Sequence, residues 1–276
     1  MKEEKKIMFG NYPQARVGDG ELIKRLNKAA GELPNVGEFG KWTSYRYYMA
    51  GQKSDYMWFV DISLDGEKYR GVYIKRDRPF DTRGDSSDFD QRGHQGYFGY
   101  RSDNVYWFKY APIEFYVLKE HEGRKLLVSR FVLDAMQFSN ADDWEYVEYK
   151  DCELRQWLNA EFVDTAFTAE EKSVIIDEPE LGDKVFLLDE EECALLYVDD
   201  GGYRVNARTC TDYALCLGVD AESAYGFCNF SWLRTVKGTA DDPVFYGIGT
   251  LGEIDRKYLT ASSICGVLRA VRVKNN

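Results

Sequence analysis

A chain of 276 residues, 44% apolar, has material for one large domain or two modest ones with a buried core. A formal charge of −11 and a pI near 4.9, with bases interleaved among acids throughout, exclude a nucleic-acid partner. No apolar run is long enough to span a membrane, and Met1–Gln14 is charged with no apolar core, so it does not read as a signal peptide.

Aromatic residues make up 15% of the chain and 20 of them are Tyr, which suits a recognition surface and suits a β-rich core equally well. All six cysteines lie in the second half and none forms a CxxC pair, so neither a zinc site nor a redox dithiol is suggested. Cys152, Cys193 and Cys216 fall within predicted helices, where a buried thiol acts as a small apolar residue, as expected of a protein in a reducing cytoplasm.

In chain order, Ile7–Gln14 reads as a short strand running into a Pro turn. Glu21–Ala30 carries Leu22, Ile23, Leu26 and Ala30 on one helical face, with Gly31 as its C-cap. The stretch from Trp42 to Arg78 is β-like, and Asp65-Gly66 predicts a tight type I′ turn between two apolar runs. Asp61, Ser63, Asp65 and Gly66 imitate the start of an EF-hand loop, but Val72 stands where a bidentate Glu is required. Residues 80–104 form a polar, Gly-rich loop that includes Arg83-Gly84-Asp85 and is expected to separate a β-rich N-terminal lobe, 1–104, from a second domain, 105–276. Ile113, Phe115 and Val117 alternate with Glu114, Tyr116 and Leu118, and Glu120–Gly123 supplies the turn into a buried second strand.

The most regular stretch runs from Tyr149 to Leu188. Asp151 is expected to cap a helix that buries Leu154, Trp157, Leu158 and Phe162 and leaves Glu153, Arg155, Gln156 and Asn159 to solvent. Thr168 and Glu171 form a capping box for a second helix, and Asp189 opens a third in the same way after a buried strand over Val185–Leu188. A short helix over Asp212–Leu217 ends at Gly218, and short strands with Gly turns follow from Phe227 to Val273.

The strings IMFGNYPQ, YWFKYAPIEFYVL, LRQWLNAEFVDTAFTAEEK, KVFLLDEEE, RTCTDYALCLG, SWLRTV and CGVLRAVRV resemble, in this order, a bacterial family catalogued as domain of unknown function 6273. The resemblance covers about residues 105–276, with departures at Cys152-Glu153 and at Gly266–Ala270, where Leu268 is an insertion able to shift the last strand. It implies an α+β protein of the C-type-lectin-like, sulfatase-modifying-factor type, with short helices and small irregular antiparallel sheets behind the β-rich lobe. Function then falls on loops between the last strands, though the fold by itself does not dictate an activity.

Gly247, Gly249 and Gly252 match a dinucleotide fingerprint, but no helix or acid follows as a βαβ unit requires, so a Gly-rich hairpin is the better reading. His94 and His121 stand in no catalytic motif. Trp232 is expected in the core, with Arg234 paired to a buried acid. Tyr225, Phe227, Asn229, Asp241, Asp242 and Tyr246 are the candidate ligand-binding residues, because aromatics interleaved with amides and acids on loops can stack on a ligand and hydrogen-bond it. Asp241-Asp242, before Pro243, reads as a solvated turn more than as a cation site.

The expected function is therefore non-enzymatic binding of a protein or glycan through loops near the C-terminus, with no cofactor and no metal. The resemblance also admits a formylglycine-generating-type oxidase, with copper held by Cys210 and Cys216, or by Cys228 and Cys265, brought together in space. A structural domain with no ligand is the third reading.

Overall fold

The computed structural model describes residues 5–35, 40–45, 57–75, 98–101, 103–140, 145–196, 209–222, 226–239, 241–250, 252–257 and 260–274. The chain begins with β1 (Lys6–Arg16), which runs straight through Pro13 where a turn was expected. Pro13 pairs with Tyr110, and irregularities on either side of it let a residue without an N–H sit in the strand. In α1 (Gly20–Ala30) the Asp19 carboxylate accepts the N–H groups of Glu21 and Leu22, and Gly31 closes the helix at φ 81°.

β2 (Thr43–Ser44), β3 (Met57–Leu64) and β4 (Glu67–Ile74) form the N-terminal antiparallel ribbon. The β3–β4 turn has Asp65 at φ 54° and Gly66 at φ 82°, the left-handed pair of a type I′ turn. β5 (Asn104–His121) is 18 residues long and is the spine of the molecule. β1 lies along one edge of it, while β4 and then β6 (Arg124–Ser129) share the other. The β5–β6 turn repeats the left-handed pair at Glu122 and Gly123. Because Ile74 pairs with Asn104, a single sheet runs across the boundary between residues 104 and 105.

β7 (Asp134–Gln137) is followed by a 3₁₀ turn over Tyr149–Asp151 and then α2 (Glu153–Trp157), a π-helical segment Leu158–Phe162, α3 (Val163–Ala166) and α4 (Ala169–Val174). The expected capping boxes at Thr168 and Asp189 are both formed. β8 (Ile175–Ile176), β9 (Val185–Phe186), α5 (Glu190–Cys193) and α6 (Asp212–Leu217) lead into β10 (Ala221–Glu222) and β11 (Phe227–Cys228). β12 (Phe230–Thr239), β13 (Asp242–Gly249), β14 (Ile254–Lys257), β15 (Ile264–Val267) and β16 (Ala270–Lys274) complete the chain.

The protein is α+β, with almost entirely antiparallel sheets. One sheet has the order β2-β3-β4-β5-β6-β16-β8 with β1 and β9 attached, and a second has the order β14-β13-β12-β15-β7. The main core lies between these sheets and the short helices, and a smaller one, built around Trp58, Trp107 and Leu26, lies under α1. β15 and β16 belong to different sheets, so Leu268-Arg269 is the crossing between them rather than a register slip. Arg269 is fully buried there and ion-paired with Asp134 from β7.

Candidate functional site

The site grows out of the helical segment that follows residue 152. Asp151 does not cap it; the Cys152 sulfur accepts the Arg155 N–H at 3.4 Å, and Asp151 ends the preceding 3₁₀ turn. Leu154, Leu158 and Phe162 are fully buried as their spacing predicts. Two residues expected in solvent face inward instead. Arg155 binds Asp183 at 2.7 Å and the Leu181 carbonyl at 2.9 Å. Asn159 donates to the carbonyls of Arg155 and Val185 and accepts the N–H groups of Lys184 and Val185 at 2.8 and 3.2 Å.

That clamp onto β9 coincides with the π-helical turn at Leu158–Phe162, and such turns inside α-helices are frequent at functional sites. Trp157 is consequently only partly buried. Its ring contacts Phe162 at 5.8 Å between centroids, and the Arg269 guanidinium lies 5.4 Å from its centre.

Trp157, Met136 and Glu161 line two adjoining cavities. The outer groove, about 340 Å³, lies between the helix and the chain leaving β7; Gln137, Ser139 and Asn140 form one wall, and Glu153, Gln156 and Ala160 the other. Ser139 Oγ and the Asn140 N–H both donate to Glu153, which ties the two walls together. The inner chamber, about 50 Å³, is walled by the rings of Tyr12, Tyr45, Phe59 and Tyr213, with Ser44 and Thr165 also on its lining.

Arg70 is the cationic group of the inner chamber, and Glu161 also lines it. Its Nε and Nη2 each donate to Asp61 at 2.8 Å, its Nη1 donates to the Tyr213 hydroxyl at 3.3 Å, and its guanidinium lies 4.4 Å from the Phe59 ring centre. Burial alone would push the Asp61 carboxyl up, but the hydrogen bonds and charge of Arg70 outweigh it and hold the group below the usual carboxylate range. Burial pushes the hydroxyls of Tyr12 and Tyr213 up, so both remain neutral donors. Tyr12 donates to Asp134 at 2.7 Å, and the hydroxyls of Tyr45 and Tyr213 share a bond of 2.7 Å. Among the described residues, neither cavity is lined by His or Cys. The arrangement can stack, donate and accept around a polar guest.

Of the candidate residues near the C-terminus, Tyr225 lies outside the described residues, as do His94 and Arg83-Gly84-Asp85. Phe227 is half-buried in β11. Asn229 is engaged internally, donating to Asp220 through its N–H at 2.9 Å and its Nδ2 at 2.8 Å and accepting from Thr250. Asp241 and Asp242 are exposed at the β12–β13 turn, the opposite end of the ten-residue β12 from Asn229, roughly 30 Å away by strand rise. Tyr246 is buried, with Lys237 and Arg256 4.8 and 5.1 Å from its ring centre.

Trp232 sits in the core among Phe138, Phe230 and Phe245 and donates to the Met136 carbonyl at 2.9 Å. Arg234 is bound to Asp189 at 2.6 Å and to Glu192 at 3.0 Å. Gly247 is pressed against the Phe230 ring in the β12–β13 ladder, so the glycine fingerprint is a close-packed hairpin. His121 is exposed at the end of β5, beside Glu122.

The thiols that meet are Cys210 and Cys228, a pairing that neither expected combination contained. Both are buried, and Cys228 donates to the Phe230 carbonyl at 3.0 Å. Burial pushes Cys210 well above the ordinary thiol range; burial acts on Cys228 in the same direction, but its hydrogen bonds, that with Cys210 foremost, outweigh it and hold that thiol below the range.

Spacing alone could have pointed to Arg70. Asp61 and Arg70 are equidistant from the Asp65-Gly66 turn and stand directly opposite each other across the hairpin. No comparable signal marked Met136 or Asn140, which reach the groove only through the sheet.

Fold and site together describe an α+β protein with a polar groove beside a π-interrupted helix. Residues 122–272, more than half of the chain, match the family described as Domain of unknown function (DUF6273), and the chain belongs to that family. No curated protein and no solved structure matches. The matched segment supplies Trp157, Glu161 and Tyr213, whereas Tyr12, Tyr45, Phe59 and Arg70 lie ahead of it, so the inner chamber straddles the limit of the match.

Proposed function

We propose that the protein is a non-enzymatic ligand-binding module of C-type-lectin-like type whose ligand, a protein or glycan, seats in the groove beside Trp157. The observation that carries this reading is the 340 Å³ groove in which a partly buried Trp meets amides on both walls and carboxylates on the helical one. The lectin-like assignment is supported by the short helices beside antiparallel sheets and by β16, which joins the sheet of β1 through β5 and β6. Six buried thiols support a reducing compartment such as the cytoplasm.

The loop surface at Tyr225, Phe227, Asn229, Asp241, Asp242 and Tyr246 is the competing location, and one experiment separates the two. Glycan and peptide arrays are probed with the wild-type chain, with Ala160→Trp, which fills the outer groove from an exposed helical position, and with Asp242→Ala. Binding lost in Ala160→Trp and kept in Asp242→Ala is the expected result. The reverse pattern moves the site to the C-terminal loops, and binding by none of the three leaves a structural domain without a ligand.

A further inference from the structure

The two cavities differ in size and chemistry, and that difference bears on the class of ligand. Resting on the groove reading above, we infer that the ligand is a glycan presenting a pyranose with an acetamido substituent, the ring lying in the outer groove against Trp157 and the substituent in the inner chamber.

The outer groove offers donors and acceptors in close alternation. Gln137 donates to the Ser262 carbonyl, which directs its amide oxygen elsewhere as an acceptor; Asn140 and Gln156 bring further amides, and Glu153 and Glu161 bring carboxylates. Sugar hydroxyls both donate and accept, and the C–H face of a pyranose matches the flat apolar surface of an indole. A volume of 340 Å³ takes a sugar ring without demanding an extended chain.

The inner chamber is too small for a ring. At about 50 Å³ against about 340 Å³ for the outer groove, it takes a substituent of a few heavy atoms. Its charges exclude ionised substituents of either sign. A carboxylate would meet Glu161 on the lining beside an Arg70 already held by Asp61, and an ammonium would meet the Arg70 guanidinium itself.

A neutral amide meets neither objection. Its methyl group faces the rings of Tyr45 and Phe59, and its carbonyl accepts from Arg70 Nη1, which carries two hydrogens and, among the described residues, makes one bond, of 3.3 Å, to Tyr213. A hydroxymethyl group would leave the aromatic walls uncovered.

The test compares methyl N-acetyl-β-D-glucosaminide with methyl β-D-glucoside, and the corresponding galactosides, by saturation-transfer NMR and titration. The N-acetyl member of a pair should bind about tenfold tighter, as one hydrogen bond to a charged donor supplies. Saturation should be strongest on the acetamido methyl. Thr165→Leu, which narrows the chamber from a helical position, should abolish the preference and leave the parent glycoside unchanged; Ser44→Leu is the second variant should the first not fold. Equal affinities within each pair, or a preference that survives both variants, overturns the inference. Peptide binding that is lost in Ala160→Trp, with no glycoside bound, overturns the ligand class and leaves the groove standing, whereas no binding sensitive to Ala160→Trp overturns both.

Discussion

The C-terminal five-stranded sheet and the interrupted helix at residues 153–166 exchange the roles their sequences suggest. In the sheet, aromatics and amides read as surface are used internally: Tyr246 is buried between two cations, and Asn229 joins Asp220 to Thr250. In the helix, Trp157 lies on the same apolar stripe as Leu154 and Phe162, yet it is the residue left at the edge of a cavity. An apolar side chain on a helical stripe is buried only where something packs over it. The π turn and the Asn159 clamp pull the helix toward β9 and leave the Trp157 end facing the groove.

Truncating the two tryptophans tests this contrast most directly. Trp232→Ala, in a fully enclosed ring cluster, should cost about 3–5 kcal/mol in chemical denaturation. Trp157→Ala should cost less than about 2 kcal/mol, because part of that ring is already in contact with water. Equal losses would mean that Trp157 is core after all and would remove the platform of the proposed site.

Asn159→Ala leaves the Lys184 and Val185 N–H groups without their acceptor, and a destabilisation of about 1–3 kcal/mol is expected. Amide exchange should accelerate at Lys184 and Val185 ahead of the rest of the sheet. Unchanged exchange there would show that the clamp does not hold the helix in place.

The smallest effect concerns pH. The Asp61 carboxyl is held below its unfolded value of about 3.9, so its pairing with Arg70 stabilises the fold in full above that value and is lost as pH falls through the lower folded value. The Asp61 contribution to melting temperature should therefore be constant with pH near neutrality and be lost at acid pH, with Tyr213 and Tyr45 resonances following. An acid transition at Asp61 beginning above pH 5 would contradict the pairing.

Much of the scaffold was legible because its causes are local. Asp19 and Gly31 bracket α1, Asp65-Gly66 and Glu122-Gly123 turn the two hairpins, and Thr168 and Asp189 open their helices with both bonds of the capping box. Pro13 misled because a Pro inside a strand depends on how its neighbours bulge along β5, which the residues around it do not state. Arg155 and Asn159 misled for a related reason: on helical spacing they are solvent-facing, and they turn inward only because Asp183–Val185 returns alongside them.

The sequence by itself determined the class of the protein, most of its turns and caps, the family to which it belongs, the burial of Trp232 and the pairing of Arg234 with an acid, since each follows from periodicity, short-range hydrogen bonding or a contiguous motif. Only the tertiary structure decided that Arg269 crosses buried between two sheets, that Arg70 stands at the end of an aromatic chamber, and that Trp157 borders a groove. Those three outcomes depend on separate segments closing around one another, from the groove within residues 136–161 to the pairing of Arg269 with Asp134 far along the chain, and side-chain patterns carry no measure of which segments meet.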